Sequence, residues 1–427
     1  MICAKALKYD ITVYVTGIDM TSAFDTIDRS KLLNITKYIV TEDEQRMLRV
    51  LLSNTKLNVR VYGAETQSFI SNVGSPQGDS IIGPLFNVYL EFSLKKVRTK
   101  VNELHTSDHT YATTVTEQDS TQDHQYVLHQ PTGIPSEATY ADDHDDITLD
   151  QSCARIYNDI VKNELAKEDL FVNDSKTEHT VIKKGNKVTE KWRTVTKLGS
   201  QLGDSEDISR RKQLSCAAMK SVKQLWVRRS LTSQAKRIGL YNSLVKSILS
   251  HNLKVCAFTE TDQEQLDAFH RRQLRRVLGI FWPHRIRNRN LYKKTGTKPL
   301  SVEITQARWS YLGHVLRMDA GAPARQAMAY YFEDETAPKI KGRKRTTIVD
   351  TINNDIIRAK TFYISKQVNK PPDRQIPLNI NPVHNPIDLH NIQLIATDRL
   401  CWKRISEIIV ASAYDKIARR HNLEFTS

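Results

Sequence analysis

Tyr140-Ala141-Asp142-Asp143 reads as a tight strand-turn-strand tip that presents two adjacent carboxylates. A third aspartate, Asp19, lies far upstream in Val15-Thr16-Gly17-Ile18-Asp19-Met20-Thr21-Ser22-Ala23-Phe24-Asp25, with apolar residues leading into it. Acids packed this closely repel one another unless cations neutralise them. Two Mg²⁺ ions roughly 3.5–4 Å apart can do so while stabilising the attacking and leaving oxygens of an in-line phosphoryl displacement. Because Mg²⁺ takes oxygen ligands and keeps room for substrate phosphates, aspartates completed by a nucleotide suit it better than zinc. Mn²⁺ can take its place.

A four-residue acidic string is weak evidence by itself, since acidic turns are common in solvated loops. Order adds specificity. Between Asp19 and Asp142 lies Gly74-Ser75-Pro76-Gln77-Gly78-Asp79-Ser80, followed by the apolar run Ile81-Ile82-Gly83-Pro84-Leu85-Phe86-Asn87-Val88-Tyr89-Leu90-Glu91. Downstream come Lys176-Thr177-Glu178 and Lys197-Leu198-Gly199-Ser200. In this order the blocks resemble palm motifs A to E of reverse transcriptases, in the version carried by the non-LTR (LINE-type) retrotransposon branch. The resemblance covers roughly residues 10 to 320.

That resemblance implies an α+β palm, a small antiparallel sheet backed by helices, joined to a basic helical thumb. It implies RNA-directed DNA synthesis from dNTPs on an RNA template and a DNA primer, with Asp19, Asp142 and Asp143 as metal ligands. Phe24 would lie under the incoming sugar and exclude a 2′-hydroxyl by a clash; the competing reading makes it a core residue at a strand end. Gln77 and Gly78 would line the templating pair and the nucleotide. Lys176 would be the motif D lysine, either protonating the leaving pyrophosphate or neutralising phosphate, with a solvated surface lysine as the third option. Gly199 would let the backbone approach the primer end. Asp25 is harder to place, and the chain is expected to turn helical after Met20, leaving it to cap or pair locally. Pro84 suits the first turn of the helix after the Gln77 loop, which is expected to start there.

Two features depart from the family pattern. Where relatives carry apolar residues after the aspartate pair, this chain has His144-Asp145-Asp146-Ile147, which reads as two more carboxylates beside the first two. Motif A also begins within about twenty residues of Met1, so the sequence predicts a truncated fingers subdomain. Fingers or an endonuclease would then come from another chain, and an inactive nucleic-acid-binding relic is the rival reading. Group II intron or telomerase-type polymerases are a further alternative.

Charge is unevenly spread. Residues 1 to 190 carry net −8, residues 191 to 300 net +17 and residues 301 to 427 net +6. A carboxylate-rich part followed by a basic one suits an enzyme that gathers metals in one place and grips a polyanion in another. Amphipathic helical periodicity runs from Ser209 to Leu278, and Arg271, Arg272, Arg275 and Arg276 fall on adjacent faces where they could track phosphates. Trp309 and Tyr311 read as core rather than base-stacking. The expected organisation is a palm over 1–205 with a polar insertion near 104–138, a thumb and post-thumb segment over 206–320, and a C-terminal region over 321–427. That last region holds the basic run Lys339 to Arg345, a Pro-rich linker from Lys370 to Pro386 and a terminal helix near Asp398 to Arg420. Five scattered cysteines show no metal-ligand spacing. With no signal-peptide pattern and no long apolar run, an intracellular, nuclear location is expected.

Overall fold

The computed structural model describes residues 2–75, 80–107, 135–186, 189–228, 232–332, 346–367 and 378–421. Gln77, Gly78, most of the polar insertion, the basic run 339–345 and most of the Pro-rich linker lie outside the described residues. The chain forms two compact units, Ile2–Asn186 and Lys187–Ser427. Among the described residues no helix is long and apolar enough to cross a membrane.

The first unit opens with α1 (Ile2–Tyr9), β1 (Val13–Ile18), α2 (Ala23–Thr26), α3 (Arg29–Thr36) and α4 (Glu42–Leu52). Four short strands follow, β2 (Thr55–Leu57), β3 (Arg60–Val61), β4 (Ala64–Glu65) and β5 (Phe69–Ser71). They pair as two ribbons, β2 with β5 and β3 with β4. Then come α5 (Ile82–Ser107), β6 (Glu137–Tyr140), β7 (Asp143–Thr148), α6 (Gln151–Ala166) and β8 (Glu178–Ile182). The helix α5 starts two residues earlier than the expected Pro84, because a proline in the first helical turn needs no backbone donor. Its last residues and the start of β6 both fall inside the segment read as a polar insertion.

Caps explain several boundaries. The Asp28 side chain accepts from Ser30 N and Lys31 N at the head of α3, Thr41 and Glu44 form a capping box on α4, and Asp150 caps α6. A four-stranded sheet of order β6-β7-β1-β8 is antiparallel at every neighbour. Ile18 on the sheet packs with Phe86, Leu90 and Leu94 of α5 and with Val161 and Leu165 of α6. The helices therefore back one face of the sheet.

The second unit begins with a 3₁₀ turn (Lys191–Thr194) and the hairpin β9 (Thr196–Lys197) and β10 (Ser200–Gln201). Helices fill the rest: α7 (Asp204–Ser221), α8 (Lys223–Val227), α9 (Gln234–Tyr241), a π turn (Asn242–Lys246), α10 (Ser247–Ser250), α11 (Glu260–Leu278), α12 (Asn288–Thr295) and α13 (Leu300–Leu316). Beyond them lie α14 (Pro323–Phe332), α15 (Ile348–Ser365), α16 (Pro386–Thr397) and α17 (Arg399–His421). The unit boundary falls at 186/187 rather than 205 because the hairpin is tied to α7: Gln201 N donates to Asp207 at 2.8 Å and Arg193 pairs with Glu206 at 2.8 Å. The segment from 321 onward is likewise not separate. Trp309 is fully buried, stacks on Trp402 with centroids 5.3 Å apart, and donates Nε1–H to Asp355 at 3.1 Å. Tyr311 is half-buried under Lys254.

Candidate active site

Asp19 is the residue after β1, and its carbonyl accepts from Asn173 N at 2.8 Å while Thr21 N donates to Phe171 O at 2.8 Å. Asp19 and Met20 thus continue beyond β1, with Met20 bridging Val172 before the turn at Thr21. The register sets Gly17 opposite Asp145 and Ile18 opposite His144, so the next rung sets Asp19 beside Asp143. Alternate residues of a strand share a face. Asp19, Asp143 and Asp145 accordingly lie on the face away from α5 and α6, whereas His144 and Asp146 lie on the helix-backed face with Ile18. Directly opposite residues on one face have Cβ atoms about 4.5–5.5 Å apart.

Ala141 and Asp142 close β6 onto β7 as a two-residue turn. Ala141 takes φ 53°, a left-handed conformation that costs a non-glycine residue about 1–2 kcal/mol. The strain sits at the tip that carries the acids. Asp142 is half-buried and Asp143 exposed.

Lys176 enters from a turn in which Asn173 O accepts from both Lys176 N and Thr177 N. Its Nζ lies 3.3 Å from Asp19 Oδ2, an oxygen that is buried and makes no hydrogen bond. An ammonium thus stands where the Asp19 carboxylate has no other donor. Among the described residues no three His, Cys, Asp or Glu side chains stand together in a way that would hold a metal ion. The donor set fits a hard cation in kind, being all carboxylate oxygen with an orphaned buried atom. In this arrangement Lys176 supplies Asp19's counter-charge.

Phe24 lies on α2 with its ring 4.3 Å from that of Phe86, half-buried rather than sealed in the core. Its carbonyl accepts from Ser75 N at 2.8 Å and from Ser75 Oγ at 3.1 Å, and Ile27 O accepts from Gly74 N at 2.9 Å. The segment that leads into Gln77 is therefore docked against Phe24. Gly74 sits at φ 71°, and a Cβ there would meet Asp25 O at 2.7 Å. Asp25 itself is exposed, in the first turn of α2.

Sequence reading missed Arg29, which is 5% exposed and whose hydrogen bonds go to neutral oxygens. It donates to Gly74 O at 2.6 Å, Leu52 O at 2.7 Å, Thr55 Oγ1 at 2.8 Å and Ser71 O at 2.8 Å. Burial lowers its guanidinium pKa from the usual value. One cation thus gathers α3, the end of α4, both strands of a ribbon and the segment entering Gln77.

The run after the aspartate pair differs from expectation. Only Asp145 shares the Asp143 face; Asp146 is buried beneath the sheet against His144, with His144 Nε2 2.8 Å from Asp146 Oδ1. Burial alone would push the His144 imidazole down, but the hydrogen bond to Asp146 raises it above the ordinary value. Burial raises the Asp146 carboxyl against the pull of the imidazole.

In the second unit, Leu198 and Gly199 take φ 46° and 74° as the central pair of the β9–β10 hairpin. Positive φ at both central positions is the type I′ turn. The carbonyl of Gly199 accepts from Arg210 at 3.0 Å and Arg211 at 2.5 Å, which turns it toward α7. The four arginines of α11 divide. Arg272 and Arg276 are exposed, while Arg271 and Arg275 are half-buried. Arg275 is tied to Asn288 of α12 at 2.7 Å, and Arg271 Nη1 is buried without a hydrogen bond.

No protein-family model matches the chain, and no curated protein matches it. Among solved structures it is similar to telomerase from Candida tropicalis in complex with the TWJ fragment of telomeric RNA, at 14% identity and a TM-score of 0.32, covering 77% of this chain and 50% of that one. It is also similar to apo telomerase from Candida tropicalis, at 14% identity and a TM-score of 0.31, covering 69% and 47%. The chain thus spans about half the length of the telomerase chains it matches.

Proposed function

We propose that the chain is an RNA-directed DNA polymerase of the non-LTR retrotransposon type, extending a DNA primer on an RNA template for target-primed cDNA synthesis. The reading is supported best by the β1–β7 register, whose last paired rung is Ile18 opposite His144, so that Asp19 and Asp143 are the next residues of the two chains at the end closed by the strained Ala141–Asp142 turn. In this reading Asp19, Asp142 and Asp143 would hold Mg²⁺, or Mn²⁺ in its place. The cations would neutralise the carboxylates and polarise the α-phosphate under attack by the primer 3′-hydroxyl.

The chain's own residues do the rest. Phe24, only half-buried, narrows the space for the sugar, and Ser75 starts the segment whose Gln77 and Gly78 would meet the base pair. Lys176, paired with Asp19 here, would face phosphate as a fixed positive charge or proton donor. In the second unit Arg272 and Arg276 offer outward cations for a phosphate backbone, and Gly199 belongs to the turn that would face the primer. A nuclear location belongs to this proposal.

A second reading is favoured by the ammonium on Asp19: a nucleic-acid-binding relic whose acidic site is idle. Primer extension on a poly(rA) template with labelled dTTP separates the two. The polymerase reading expects Mg²⁺- or Mn²⁺-dependent extension that Asp142→Asn abolishes. Duplex binding without extension supports the relic.

A further inference from the structure

We propose that His144 and Asp146 are positioning residues, which with Thr139 form a hydrogen-bonded set that ties β6 to β7 directly beneath the Asp142–Asp143 tip. The inference rests on the polymerase reading above. Thr139 Oγ1 lies 2.7 Å from His144 Nδ1, and His144 Nε2 lies 2.8 Å from Asp146 Oδ1. A neutral imidazole satisfies both contacts, accepting from the threonine and donating to the carboxylate; the tautomer is assigned from these partners. The two rungs below the tip are Thr139 opposite His144 and Glu137 opposite Asp146.

Glu137, opposite Asp146 in the register, makes a separate set of bonds, and Asp146 Oδ2 itself has no hydrogen-bond partner. Arg98 of α5 donates to Glu137 Oε1 through Nη2 at 2.6 Å and Nε at 3.0 Å, and holds Glu91 of the same helix at 2.6 and 3.0 Å. Tyr157 of α6 donates to Glu137 Oε2 at 3.3 Å. Strand β6 is therefore held by directional bonds at two points, to β7 through His144 and to α5 and α6 through Glu137.

Apolar packing cannot do this here. β6 is the edge strand, paired only with β7, and its residues Glu137-Ala138-Thr139-Tyr140 offer no buried apolar side chain. His144 is 1% and Asp146 2% exposed, so the polar chain occupies the place where a core contact would otherwise hold the strand. An apolar contact resists separation but tolerates sliding, whereas a hydrogen-bonded chain fixes distance and angle. At a reacting centre, a misplacement of about 1 Å can cost about 10²-fold in rate.

A buried polar chain that only stabilised the fold could be exchanged for apolar residues of similar volume with little loss, or even a gain, in stability. The test therefore uses His144→Leu/Asp146→Leu together, in the full chain, with primer extension on poly(rA)/oligo(dT). Expected are folding stability equal to or above that of the parent, KM for dTTP and affinity for the primed template within about threefold, and kcat lower by about tenfold or more. Hydrogen exchange adds a readout without catalysis: amides 139–144 should exchange faster while those of the β1–β8 pairing do not. Asp146→Asn, which keeps a partner for His144, should recover most of the lost kcat. If the double variant does not fold, Thr139→Val, which deletes one bond from a residue that is itself exposed, should lower kcat about threefold at constant KM. Extension by the parent chain with kcat of the folded variant within twofold, or unchanged exchange at 139–144, overturns this proposal alone. No extension by the parent chain overturns the polymerase reading and takes this proposal with it.

Discussion

Replacing Arg29 by methionine should loosen the segment leading into the proposed nucleotide site without touching any group that would contact substrate. The guanidinium makes four hydrogen bonds, three to carbonyls at 2.6, 2.7 and 2.8 Å and one to Thr55 Oγ1 at 2.8 Å. Methionine matches much of the length and supplies no donor. Each buried acceptor left unpaired costs about 1–3 kcal/mol, offset in part by removing a desolvated cation, so the net loss is about 3–5 kcal/mol. At about 1.4 kcal/mol per factor of ten, local opening should become about 10²–10³ times more frequent. Hydrogen exchange followed by mass spectrometry reads this segment by segment: peptides over 48–57 and 69–75 should lose protection, while peptides over 260–278 should not change. Arg29→Lys keeps the charge but loses the planar fork and should show roughly half the effect. The functional counterpart is a rise in KM for dTTP with unchanged affinity for primed template, because Gly74 O is the shortest of the four contacts and Gly74 leads into Gln77. Protection in 48–57 and 69–75 within threefold of the parent would refute the reasoning.

Three further outcomes can be measured. His270 is buried with Nδ1 2.7 Å from Tyr241 OH, and burial first, then Lys246 and Arg271, lower its pKa to about 3. The unfolded imidazole takes a proton near pH 6.5 that the folded one refuses, so stability is complete above that pH and falls as pH drops, by about 2 kcal/mol at pH 5. All five tryptophans lie after residue 187, so tryptophan fluorescence in urea follows this unit, and His270→Gln should flatten the pH 7 to 5 slope; an unchanged slope contradicts the assignment. Lys176→Gln should tighten Mn²⁺ binding about two- to fivefold, as titrated by the EPR signal of the free ion, because the partly exposed pair with Asp19 is worth at most about 1 kcal/mol; weaker or equal binding would mean the ammonium does not compete there. Arg272→Gln with Arg276→Gln should lower the salt slope of duplex binding by about 1–2, whereas Arg275→Gln should mainly loosen α12. Equal slopes for the two variants would remove the outward pair from the interface.

How much of this was legible in the sequence depends on where each partner sits. The acid tip could be read because a two-residue turn between short strands is a local event, and the helices after Ser209 could be read because Leu266, Leu274 and Val277 recur at helical spacing and are all fully buried. The division of the arginines could not: positions 271, 272, 275 and 276 straddle the edge of the α11 stripe, and only the Asn288 contact from α12 decides that Arg275 turns inward. Arg29 left no mark because three of its four acceptors are backbone carbonyls up to 45 residues away, which every residue type carries. His144-Asp145-Asp146 misled for a related reason. Three polar residues in a row look like solvated surface until strand alternation is applied, which sends Asp145 to one face and its neighbours to the other; even then alternation alone predicts two buried polar groups that need partners. Thr139 meets His144 across a tight hairpin, so that bond is nearly local, but Glu137, from the rung below, is satisfied from Arg98, 39 residues back across the long polar segment. A departure from an apolar pattern at a strand next to an acidic tip is therefore best treated as a question about partners, and here they come from two sides: the facing strand holds His144, and α5 and α6 hold Glu137.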